Sequence, residues 1–306
     1  MGTLPLLEAF ALVDLPPAPA AVERAIGLAG PDAVVLEVRA LAGGTHARTY
    51  LIRTANPGQE FILREFPPGD DAPANESRVL AALGGLSGLA PRLLASGAGD
   101  APGTGAWTLI SRLPGAADIT PDLPAAWAGQ LGEALARIHA IPAQRLGDFQ
   151  KVSERPGGSL AGLSGPAAHP VRAGWEALAS APAVLTHYDF WSGNTVWEGG
   201  MLTGVVDWSG GALGPRGFDV GWCRLDLYLL YGEHIAASFL ESYQNASSAL
   251  PDLLYWDLWA AARSHEDVES WVPNYRDLGR PDLTAPELRK RHTAWTQQLT
   301  RALPAN

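Results

Sequence analysis

The stretch Leu185–Asp207, LTHYDFWSGNTVWEGGMLTGVVD, decides how this chain is read. It holds His187-Tyr188-Asp189, then four residues, then Asn194, and an apolar strand-like run, Leu202 to Val206, ends on Asp207. An Asp and an Asn five positions apart on one loop supply a carboxylate that can accept a hydroxyl proton and an amide oxygen that can ligate a hard cation. A second Asp at the end of a strand supplies another hard ligand. Phosphoryl transfer to an alcohol needs this set, because the protein must aim the oxygen and hold magnesium against nucleotide phosphates.

Outward from this stretch the chain falls into two parts. Before it come short β-branched or aromatic runs bounded by turn residues: Ala33 to Leu41, Thr49 to Arg53, Phe61 to Phe66, Arg92 to Ala95 and Trp107 to Arg112. One helix is expected among them, Pro73 to Leu83, with Asn75 as a cap and Val79, Leu80 and Leu83 on one face. Leu113-Pro114-Gly115 follows as a hinge. The amphipathic run Leu123 to Ile141 is helical by spacing, Phe149 to Pro170 is loop by composition, and the chain beyond Phe218 is largely helical. The expected fold is α+β and two-lobed: a five-stranded antiparallel sheet with one helix in residues 1–112, then a larger, mostly helical lobe in 113–306.

The spacing His-x-Asp-x4-Asn with a later Asp matches the protein-kinase catalytic-loop template. Together with Gly204-Val205-Val206-Asp207-Trp208, Gly214-Pro215-Arg216-Gly217-Phe218-Asp219 and the helix end Ala136-Arg137-Ile138-His139, the stretch resembles the aminoglycoside phosphotransferase and choline kinase-like families. The resemblance spans most of residues 34 to 231. It implies a protein-kinase-like fold with ATP and magnesium bound between the lobes. It also implies Asp189 as catalytic base, Asn194 and Asp207 as magnesium ligands, His187 as a brace of the loop and Asp219 as its structural anchor. The implied reaction moves the γ-phosphoryl group of ATP to a hydroxyl of a small molecule. A protein kinase shares the loop, but here Asp207 is followed by Trp208-Ser209 rather than Phe-Gly. A nucleotide-binding pseudokinase-like protein is the other alternative, resting on what the first lobe lacks.

That lobe departs from the kinase template. The template asks for three apolar residues and then lysine; Phe61-Ile62-Leu63 is followed by Arg64, and of the 22 basic residues only Lys151 and Lys290 are lysine. Arg64 is therefore expected to be the cation for the nucleotide phosphates, or else a solvated strand residue, with Glu76 on the following helix as its expected ion-pair partner. No GxGxxG pattern is present. Gly43 and Gly44 in the turn Ala42–His46 are the glycines that let backbone amides approach phosphate, or form a plain hairpin turn. Backbone groups near Ile110 to Leu113 line the adenine pocket in this reading.

For the acceptor, Trp191 inside the loop is the aromatic expected beside the substrate. Glu266, Asp267 and Glu269 would favour a polycation if they faced the acceptor, although such a run is commonly a solvated helix face. Tyr255, Trp256, Trp259, Trp271 and Tyr275 can hold an ammonium by cation–π contact, although their helical spacing reads first as core. The remaining composition sets limits. A net charge of −10 leaves no basic surface for nucleic acid. The single cysteine, Cys223, allows no internal disulfide and suits a reducing compartment. No signal peptide and no membrane span is read, so a cytoplasmic protein is expected.

Overall fold

The computed structural model describes residues 17–41, 46–99, 104–147, 149–154 and 160–304. The chain divides into two compact units, Met1–Leu113 and Pro114–Asn306. Among the described residues no helix is long and apolar enough to cross a membrane.

The first unit contains α1 (Pro19–Ala29), β1 (Val34–Leu41), β2 (Arg48–Ala55), β3 (Glu60–Glu65), α2 (Ala72–Leu83), β4 (Leu93–Gly97) and β5 (Trp107–Ser111). The five strands form one antiparallel sheet in the order β1-β2-β3-β5-β4. The sheet agrees with the expectation; the single helix does not, because α1 is a second one. Its buried residues Ala21, Ala25 and Ala29 recur every four positions and pack against Tyr50, Ile52, Phe61, Leu63, Trp107 and Leu109. An alanine stripe with no side-chain cap gives little hydrophobic contrast, so periodicity alone passes over it. Side chains alternate across a strand, so Leu63 faces this cluster while its neighbour Arg64 is delivered to the opposite face. Asn75 is also corrected: it lies within α2, buried, and the residue at the helix N-cap is Asp71.

The second unit contains α3 (Pro124–His139), α4 (Ala168–Ala179), β6 (Ala183–Thr186), β7 (Thr195–Glu198), β8 (Met201–Val205), β9 (Ala212–Pro215), α5 (Gly217–Tyr231), α6 (Glu233–Ala246), α7 (Leu253–Arg263), α8 (Val272–Asp277) and α9 (Ala285–Arg301). β6 pairs antiparallel with β9, and β7 with β8. The hairpin turn Gly199-Gly200 has φ values of 59° and 78°, the left-handed pair that a tight primed turn demands and that glycine accepts without strain. The expected loop Phe149–Pro170 is shortened by a 3-10 turn at Val152–Glu154 and by the start of α4 at Ala168.

The helices of this unit converge on Arg224. Its Nε donates to Asp257 Oδ1 at 2.9 Å and Nη2 to Asp257 Oδ2 at 3.1 Å, while Nη1 donates to the Ala236 carbonyl at 2.9 Å. The guanidinium also lies 5.6 Å from the Trp295 ring centre. One side chain on α5 thus ties α6, α7 and α9. Arg224→Leu strands a buried Asp257 carboxylate and should cost about 3–5 kcal/mol, whereas Arg224→Leu/Asp257→Leu should regain most of that. Urea denaturation of both variants checks this; equal losses would show that the pairing itself is not what matters.

His292 of α9 is fully buried. Its Nε2 donates to the Ala261 carbonyl at 3.0 Å and touches the Ser264 hydroxyl at 2.9 Å. Burial lowers its pKa to about 4. The unfolded chain then binds a proton that the folded one refuses, so this contribution is intact above the ordinary histidine pKa and falls away as pH drops from there toward 4. The loss should approach roughly 3 kcal/mol. His292→Gln carries no titrating ring, so its stability should fall less steeply than that of the parent over the same interval.

Candidate active site

The loop after β6 is held from beneath. Asp219, in the first turn of α5 and fully buried, accepts from the His187 amide at 2.7 Å, the Tyr188 amide at 2.8 Å and His139 Nε2 at 3.1 Å. It lies inside the helix, which begins at Gly217. Tyr188 adopts φ 74°, left-handed for a bulky residue, at a cost of roughly 1–2 kcal/mol. The donation from its amide to Asp219 helps to hold that turn.

Hairpin register then brings the two ends of the stretch together. Thr195 opposes Val205, so Asn194 and Val206 flank the open end, and the Val206 amide donates to the Asn194 carbonyl at 2.9 Å. His187 Nε2 donates to the Val206 carbonyl at 2.9 Å. Trp208 packs beneath with its ring centre 4.6 Å from that of His187, fully buried, its Nε1 donating to Val205. Asp207 sits between these contacts with φ 62° and accepts from Ser209 Oγ at 2.7 Å.

Asp189 is exposed at the surface, and its carboxylate has named partners: Trp222 Nε1 donates to Oδ1 at 3.1 Å and Asn194 Nδ2 to Oδ2 at 3.2 Å. Protein crowding around the carboxylate raises its pKa, and the negative charge of Asp207 raises it further. Asn194 Nδ2 also donates to the Asp189 carbonyl at 2.9 Å, which leaves the amide oxygen as the atom free to ligate. Among the described residues no three His, Cys, Asp or Glu side chains are grouped to hold a metal. The donor set of Asn194 and Asp207 nevertheless suits magnesium, which keeps much of its octahedron for phosphate oxygens and water.

In the first unit, Arg64 forms a buried ion pair with Glu76 Oε1, and Thr108 Oγ1 donates to Glu76 Oε2 at 2.7 Å. Thr108 stands directly opposite Arg64 in the β3–β5 register. Ile110 lies mid-strand in β5, buried between partners on β3 and β4. Gly43 and Gly44 lie outside the described residues.

A cavity of about 160 Å³ in the second unit is lined by Asp189, Trp191, Trp222, Asp226, Trp271, Asn274 and Tyr275. Trp191, the aromatic expected beside the substrate, is one of its lining residues. Its ring lies where a Cβ on Gly193 would stand, at 2.1 Å, so position 193 admits no side chain without displacing it. Trp271 and Tyr275, read first as core, form part of the wall. Trp222 and Asp226 were missed, although with Asp219 they recur at i, i+3 and i+7 along α5, the spacing of one helix face. Glu266, Asp267 and Glu269 do not line the cavity; Glu269 is bridged to Arg289, and Asp267 lies 3.7 Å from Arg263.

Comparison with known proteins agrees with this architecture. The putative aminoglycoside phosphotransferase of Ralstonia eutropha JMP134 superposes with a TM-score of 0.64 at 18% identity, covering 93% of this chain and 99% of that one. The macrolide 2'-phosphotransferase MphH of Brachybacterium faecium gives 0.57 at 19%, covering 93% and 99%. A thermostable mutant of the aminoglycoside phosphotransferase APH(4)-Ia, in ternary complex with AMP-PNP and hygromycin B, gives 0.60 at 15%, covering 88% and 96%. Likeness at these identities establishes the shared fold. No curated protein matches the sequence. The family model of the phosphotransferase enzyme family matches residues 37–265, and the chain belongs to that family.

Proposed function

We propose that this phosphotransferase moves the γ-phosphoryl group of ATP to a hydroxyl of a small molecule, using magnesium. The observation that carries the reading is the meeting of Asp189, Asn194 and Asp207 at the open end of one hairpin, close enough that the charge of Asp207 raises the pKa of Asp189. In this reading the Asp189 carboxylate accepts the hydroxyl proton as the acceptor oxygen bonds to the γ-phosphorus. The bond from that phosphorus to the β–γ bridging oxygen breaks, and ADP leaves with the electron pair. Magnesium, when bound, neutralises phosphate charge. Asn194 and Asp207 would hold it, and Arg64, ion-paired with Glu76, would be a cation for the nucleotide phosphates. His187 and Asp219 then act by positioning the loop. The AMP-PNP and hygromycin B named with the APH(4)-Ia structure support an adenine nucleotide and a small hydroxyl-bearing acceptor here. A cytoplasmic setting, where ATP and magnesium are at hand, goes with this chemistry.

Coupled ADP release across aminoglycosides, choline, homoserine, sugars and nucleosides tests the reaction, with an acceptor-dependent signal expected. Asp189→Ala should lower that signal by roughly 10²–10⁴-fold. ATP binding by the same variant, read by calorimetry, should stay near the parent value; lost binding in a folded protein would contradict the role of base. Asp207→Ala should abolish magnesium-dependent nucleotide binding, and an unchanged magnesium dependence would remove Asp207 as a ligand.

A further inference from the structure

The transfer reaction leaves one contact of Asp189 without a role. Its carboxylate accepts a donor on each oxygen, Asn194 Nδ2 on Oδ2 at 3.2 Å and Trp222 Nε1 on Oδ1 at 3.1 Å. The two donors differ in what else they do. Asn194 lies on the same loop, five positions on, and its amide oxygen is the atom that would ligate magnesium. Trp222 lies on α5, 33 positions away, on an element that the loop does not carry with it.

α5 meets the loop at three levels. In its first turn Asp219 accepts from the amides of His187 and Tyr188. One turn on, Trp222 donates to the side chain of Asp189, and one turn further Asp226 accepts from the Ser192 amide. The backbone is thus held on both sides of Asp189, and the indole is what reaches its side chain. The outer torsion of an aspartate is broad and two-fold, so a backbone held at both ends still leaves the carboxylate plane free to turn. A donor on each oxygen stops that turn.

An indole suits this task. It donates and cannot accept, so it neither takes the hydroxyl proton nor returns one. Its ring is held by packing: the Trp271 centre lies 5.3 Å away at 68° and the Trp259 centre 6.2 Å away at 55°. Trp259 in turn packs edge-on to Phe218, 4.6 Å away at 83°. Ring packing does not by itself bring an indole N–H to an acceptor in this chain. Trp107, Trp127, Trp259 and Trp295 each bury Nε1 with no hydrogen-bond partner among the described residues.

We propose that Trp222 is a positioning residue for phosphoryl transfer: its N–H fixes the plane of the Asp189 carboxylate, so that the carboxylate meets the acceptor hydroxyl in one orientation. The assignment rests on the reading of Asp189 as proton acceptor. Orientation acts within the bound complex, so its loss lowers kcat and leaves nucleotide binding alone.

Replacing Trp222 in the full chain by benzothienylalanine, whose ring has sulfur in place of the N–H, removes the donor and keeps the ring. Trp222→Phe is the companion variant. Turnover is followed by ADP release with whichever of the aminoglycosides, choline, homoserine, sugars and nucleosides gives the parent its strongest signal. In the isostere variant kcat should fall about tenfold or more, the loss of one hydrogen bond to a charged group. The KM values for ATP and for that acceptor should stay within about twofold. The contact is also read without turnover, from the N–H resonance of the Trp222 indole, identified by its absence from both variants. Asp189→Ala should shift that resonance upfield. Thermal melts separate a folding defect from a loss of orientation, and the isostere, which keeps the ring packing, decides if Trp222→Phe melts early. An unchanged kcat in the isostere variant of an active parent, a raised KM with kcat unchanged, or an unmoved indole resonance would each overturn the role of Trp222 and leave the phosphotransfer reading standing. A parent protein silent across every acceptor would overturn the phosphotransfer reading, and the role of Trp222 with it, even where the resonance moves.

Discussion

The buried carboxylate of Asp219 sets the position of the loop that leads to Asp189. Two consecutive amides, of His187 and Tyr188, and one imidazole, of His139, converge on it. A carboxylate excluded from water is costly unless its lone pairs are met, so the loop and the end of α3 are drawn to the first turn of α5 together. The left-handed Tyr188 follows from that arrangement. With both amides directed at Asp219, the chain turns, and Asp189 emerges at the surface while His187 goes inward to the Val206 carbonyl.

α5 carries this arrangement into the rest of the second unit. One of its faces presents Asp219, Trp222 and Asp226 to the loop, touching His187, Tyr188, Asp189 and Ser192 in turn. Arg224 binds the same helix to its neighbours through Asp257 and Ala236. Four aspartates, at 189, 207, 219 and 226, each accept from identified donors. Asp219 and Asp226 are satisfied within the protein by amides, an imidazole and a phenol. Asp189 accepts from two side chains, Trp222 and Asn194, and Asp207 accepts from Ser209.

The first unit answers a different problem, a single cation that must stay charged while buried. Arg64 and Glu76 meet because strand alternation sends Arg64 away from the alanine-covered face, and the register of β3 with β5 sets Thr108 beside it as a second donor to Glu76. Arginine offers donors spread over a planar fork where lysine offers three on one atom, which suits it to a buried ion pair.

The spacing of His187, Asp189, Asn194 and Asp207, and the alternation of short strands before them, sufficed for the two-lobed class, the five-stranded sheet and the family. Local chemistry carries those signals: turn residues, apolar runs and hard oxygen ligands at set intervals. The helix α1 stayed hidden because alanines without a cap give no contrast, and Asn75 misled because a residue suited to capping can also lie buried inside a helix. The cavity was legible only in part. Trp191 is two positions from Asp189 in sequence, but Trp222, Asp226, Trp271 and Tyr275 reach the cavity from α5, α8 and the turn before α8, and aromatics at helical spacing look alike whether they fill a core or line a wall. The amino-acid sequence by itself determined the kind of fold and the chemical groups available to it, because these depend on near neighbours. Which tryptophans face the Asp189 carboxylate, and which aspartates are already satisfied, only the tertiary structure decided, because those contacts join residues 31 to 49 or more positions apart through the packing of helices.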